Sequence, residues 1–124
     1  MPIISSMYSS HPETILFRQF VGKIEKQDIY ESWKQLIDNK TISEDLKGIV
    51  NNLNGCDFMI NIDEFNFLLE FLNQHDNIKN LKIAVVTDSP QKIIFPMLGE
   101  KQEKELNIKP FSSNKAAEEW ILSE

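Results

Sequence analysis

Residues 81–90 read LKIAVVTDSP. Apart from Lys82, the run Leu81 to Val86 is apolar, and it ends in a cluster of turn formers. A half-buried strand would alternate apolar and polar residues, whereas a near-continuous apolar run of this length fits a strand covered on both faces. Asp88-Ser89-Pro90 then closes the strand and opens a helix. Ser89 is suited to the N-cap and Pro90 to the first helical position. The spacing implies a central strand of an α/β sheet, with chemistry or binding favoured at its carboxyl end.

The same alternation continues in both directions. Ile3-Ile4 opens a first edge strand, and Thr14 to Val21 forms a second, stopped by Gly22. Gln27 to Asn39 places Ile29, Trp33, Leu36 and Ile37 on one helical face. Gly48 to Leu53 is a short strand, Ile62 to Asn73 a helix, and Ile108 to Phe111 a last strand. Ser112 or Ser113 caps a final helix whose Ala117, Trp120 and Ile121 face the core. Pro96 falls inside the helix that starts at Pro90 and should kink or split it. The expected order is β-β-α-β-α-β-α-β-α: one α/β domain over 1–124, with a mixed, mostly parallel sheet of four to five strands and four helices. The opening β-β pair adds an antiparallel edge.

At 124 residues the chain buries enough surface to need no disulfide or metal staple. A net charge of −6 and the lack of any basic run argue against nucleic acid and against an acidic membrane surface. No stretch approaches the ~20 apolar residues of a membrane span. The opening MPIISSMYSSHPE has no basic n-region and no long apolar core, so no signal peptide is expected, and the reading is a cytoplasmic protein. Cys56 is the lone cysteine. It has no CxxC partner for zinc and no obvious His partner for nucleophilic work.

Catalytic patterns are sparse. There is no Gly-rich phosphate loop, no HExxH and no GxSxG. His11 lies in the N-terminal Ser-rich stretch, and His75 follows a helix, where its cation suits the negative end of the dipole. Asp63 and Glu64 are neighbours in a helix's first turn and do not face each other. Asp88 and Ser89 are the best-placed polar pair, although capping alone accounts for them. No cofactor and no metal site is expected, and the chain reads as a non-enzyme.

Three stretches carry a family resemblance: Phe20-Val21-Gly22-Lys23-Ile24, Lys82 to Pro90, and Phe111-Ser112-Ser113 with Ala117 and Trp120-Ile121-Leu122. In this order and spacing the chain resembles the SpoIIAA-like branch of the STAS-domain superfamily, from about Thr14 to Leu122. The resemblance implies a bacterial regulatory domain that binds protein, with helices packed mainly on one side of the sheet. In anti-sigma-factor antagonists of that superfamily a strand ends in Asp-Ser-Ser-Gly before a helix, and one serine is phosphorylated. The matching segment here is Ile60-Asn61-Ile62-Asp63, and no Ser or Thr occurs from Asn51 to Asp76. The phosphoswitch is therefore lost on this alignment.

On the 62–73 helix, about 100° per residue puts Ile62, Phe65, Leu69 and Leu72 on the sheet-facing side. Phe67 and Phe71 share a different face. Three readings follow. The first is a protein-interaction domain that docks a partner or a second copy, as in a homodimer, through Asn61, Asp63, Phe67 and Phe71. The second is a small-ligand or lipid binder resembling CRAL-TRIO domains, with a pocket near Asn61, Asp88 and Ser89 for a small apolar ligand. The third is a hydrolase-like enzyme using Asp88 and Ser89. An apolar cavity of ~300 Å³ or more favours the second reading, and a solid core with exposed Phe67 and Phe71 favours the first.

Overall fold

The computed structural model describes residues 3–7, 14–38, 46–88 and 107–123. The helix expected from Pro90, its Pro96 kink, Ser89 and His11 lie outside the described residues. The described residues form six strands and four helices: β1 (Ile3–Met7), β2 (Ile15–Glu25), α1 (Lys26–Asp38), β3 (Gly48–Asn52), β4 (Cys56–Met59), α2 (Ile62–Asn73), α3 (Asp76–Lys79), β5 (Lys82–Val86), β6 (Asn107–Phe111) and α4 (Asn114–Leu122). The sheet order is β1-β2-β3-β5-β6, with β4 paired to the far end of β2. β1 is the antiparallel edge, and every other pairing is parallel.

The apolar run of β5 has the cause read from it. Ile83 and Val85 pack into one core, while Ala84 and Val86 pack into a second on the opposite face. The first core holds Ile29 and Trp33 of α1, Leu68, Leu69 and Leu72 of α2, and Ile78 of α3. The second is closed by Ala117 and Ile121 of α4. Three of the described helices thus share one face, as the resemblance implied, but the other face is covered too. Each fully buried aliphatic side chain contributes about 1.5–3 kcal/mol.

The C-terminal helix is fixed at both ends. Ser113 Oγ accepts from Ala116 N–H at 3.1 Å, the N-cap bond expected of it. At the other end Lys82 Nζ donates to Trp120 O at 2.8 Å and Ser123 O at 2.7 Å, a cation on the negative end of the helix.

Three expectations are corrected. Gly22 does not stop β2. It takes φ 85, a conformation open to glycine, where the strand leaves β3 and starts to pair with β4. The segment Cys56–Met59 adds a strand that the expected order of elements lacks. On α2 the buried stripe is rotated toward Leu68, so Ile62 is 41% exposed rather than packed on the sheet.

Candidate functional site

The polar stretch from Asn51 to Asn54 is a set of ties between elements. Asn52 Oδ1 accepts from Asn54 N–H at 2.9 Å, and Asn52 Nδ2 donates to Asn114 Oδ1 of α4 at 3.1 Å. Gln19 Nε2 donates to Asn54 O at 2.8 Å. Asn54 Oδ1 accepts from the Asp88 backbone N–H at 3.1 Å, joining the ends of β3 and β5. The turn itself needs Gly55, which sits at φ 90.

Asn61 is the N-cap of α2. Its Oδ1 accepts from Glu64 N–H at 2.8 Å, and Glu64 Oε1 accepts from Asn61 N–H at 3.1 Å, a complete capping box. The pattern Asn-x-x-Glu is legible in the sequence and accounts for Asn61 by helix stability alone. Asn61→Ala should lower stability by about 1 kcal/mol in urea denaturation. A much larger loss would mean that Asn61 does more than cap. Asp63 is exposed on the same first turn, and Asp88 is exposed at the end of β5.

α1 lies beside α2 and meets the aromatics that the helical spacing set apart. Tyr30 is 4.8 Å from Phe71, edge to face, and 5.9 Å from Phe67, measured between ring centroids. Phe71 also meets His75 at 4.9 Å, so it is half-buried and braces the two helices. Phe67 remains 45% exposed, with Lys26 Nζ 4.6 Å from its ring centre. Together these rings line a surface groove of about 340 Å³ between α1 and α2, edged by Lys34 and Glu70. Tyr30 was not singled out from the sequence, because only the packing of α1 brings it here.

A separate apolar cavity of about 70 Å³ lies between the sheet and α1 and α2, with Phe20, Trp33, Asn51, Leu69 and Ile83 among its walls. Asn61 and Asp88 line neither of these two spaces. Two of the cavity's walls, Phe20 and Trp33, stack on a buried charge that the sequence reading passed over, Arg18. Arg18 is 2% exposed, and burial pushes its guanidinium down to about 9. Its Nη2 donates to Ser32 Oγ at 2.7 Å, but Nε and Nη1 are buried with no hydrogen-bond partner. The signal was present: Leu16, Arg18 and Phe20 alternate along one face of a strand, and the arginine occupies its middle.

Among the described residues no cluster of His, Cys, Asp and Glu is suited to a metal, and no helix is long and apolar enough to cross a membrane.

No protein-family model matches the chain. No curated protein matches it either. Among solved structures it is similar to an uncharacterised protein of the DUF3478 family, with a SpoIIAA-like fold, from Shewanella loihica PV-4. That match has a TM-score of 0.62 at 16% identity and covers 97% of this chain and 93% of the other. At that identity the likeness speaks for architecture, and the resemblance read from three short stretches holds at that level: the chain has a SpoIIAA-like fold.

Proposed function

We propose that this chain is a non-enzymatic regulatory domain that docks a protein through the α1–α2 groove. The observation that carries the reading is Phe67, a large aromatic left 45% exposed beside Phe71 and Tyr30. Exposed aromatics gathered at a groove are typical anchors of protein interfaces. Met59 and Ile62 are also exposed near the start of the same helix, outside the groove. With Asn61 in the capping role and no hydroxyl residue from Asn51 to Asp76, docking by this helix is constitutive rather than phosphorylation-gated. The apolar cavity of about 70 Å³ falls well short of the ~300 Å³ expected for a drug-sized ligand, which disfavours the lipid-carrier alternative.

Phe67 is the variant of choice, because changing Phe71 also loosens the contact with Tyr30. Phe67→Asp should shift stability by no more than about 0.5–1 kcal/mol, as for a surface position. It should weaken docking by about 2 kcal/mol, or ~30-fold. Sedimentation velocity reads self-association, and titration calorimetry reads any captured partner. Unchanged association would remove Phe67 from the interface.

A further inference from the structure

Arg18 is a buried cation. It forms no ion pair among the described residues, and two of its three nitrogens are unpartnered. Ser32, its one hydrogen-bond partner among the described residues, is itself committed, with Oγ donating to Ile29 O at 2.8 Å. The rings of Trp33 and Phe20 flank the guanidinium carbon at 4.9 Å and 5.2 Å. Such stacking offsets only part of the cost of an unpaired buried ion.

The orphaned groups are neighbours. Arg18 lies opposite Asn51 in the β2–β3 register, and Asn51 Oδ1 is also buried without a partner. Asn51, Phe20 and Trp33 in turn line the apolar cavity of about 70 Å³. Arg18 is not itself a wall of that cavity, but it stacks on two of its walls, Phe20 and Trp33, and pairs in register with a third, Asn51.

We infer that Arg18 is the receptor for a small monocarboxylate, whose charged end pairs with the guanidinium and whose short apolar tail enters the cavity. The charge decides the class. One guanidinium neutralises one carboxylate, while a dianionic phosphate would leave net charge in an apolar surround. The volume decides the length, since a few methylene groups fill it. Water alone would bond the free nitrogens but leave the charge uncompensated. This site is independent of the α1–α2 groove, and its failure would leave the docking reading intact.

The test uses the purified full chain and sodium butyrate as probe, with sodium chloride at equal ionic strength and 1-butanol as controls. Butyrate should raise the melting temperature saturably, beyond either control. Arg18→Met should bind butyrate about tenfold or more weakly, the worth of a lost charge-assisted hydrogen bond. A butyrate effect no larger than that of chloride, or one undiminished in Arg18→Met, would overturn the inference. Should that variant fail to fold, Trp120→Phe leaves Trp33 as the lone tryptophan. Its emission should then shift saturably with butyrate and not with butanol, and the absence of a shift overturns the site.

Discussion

Arg18→Met should make the ligand-free protein more stable, by about 1–4 kcal/mol, although it alters a buried core position. Most core substitutions destabilise, so the sign is the test. Met has similar length and carries no charge, and it removes a desolvated cation whose Nε and Nη1 have no partner. Ser32 is not orphaned by the change, because its hydroxyl still donates to Ile29 O. The pH dependence has a definite direction. Burial pushes the Arg18 guanidinium well below its ordinary range, to about 9, so below pH 9 both folded and unfolded chains hold the proton and the whole penalty stands. As pH rises above about 9, the folded state releases its proton before the unfolded chain does, and the penalty is relieved. The stability gap between Arg18→Met and the wild type should therefore narrow above pH 9. Urea denaturation of both proteins at pH 7 and pH 10 measures it. A variant less stable than wild type at pH 7 would mean that the arginine is compensated after all.

The second large effect is a loss. An added Cβ on Gly48 would lie 2.5 Å from Lys82 O and 2.7 Å and 2.8 Å from the two γ-carbons of Ile121. The first contact is with backbone, in the strand that Gly48 faces in register, and it cannot rotate away. Relief requires β3 and β5 to part and the Ile121 side chain of α4 to move away. Gly48→Ala should cost about 3 kcal/mol or more, at the upper end for overpacking. Trimming Ile121 in the same chain should recover part of the loss and no more, because the carbonyl contact remains. A melting temperature within a degree or two of wild type would show that β3 and β5 are less closely held than described.

The elements that the sequence made legible are those with long, unambiguous patterns. The apolar run from Leu81 to Val86 gave a central strand, and the residues from Ile62 to Asn73 gave a helix with the same bounds. β4 was missed because Cys56–Met59 is four residues long and sits in a polar stretch, where the Asn54-Gly55 turn was its only signal. Gly22 misled because glycine ends some strands and bends others, and which it does depends on whether a new neighbour waits beyond. Helical angles separated Phe67 and Phe71 from the core side of α2. They did not show that Tyr30 covers one more than the other, since that depends on how α1 lies against α2. Arg18 was visible as a letter but not as a buried charge, because burial depends on α1 crossing above it.

Site-specific photocrosslinking tests the docking claim most directly. A benzophenone side chain at position 67, introduced in cells, should give a discrete protein adduct, either with a second copy or with one other chain. The same group at Lys115, exposed on α4 and remote from the groove in the sheet order, should give none. Equal, diffuse labelling from both positions, or no adduct from position 67, would contradict the account.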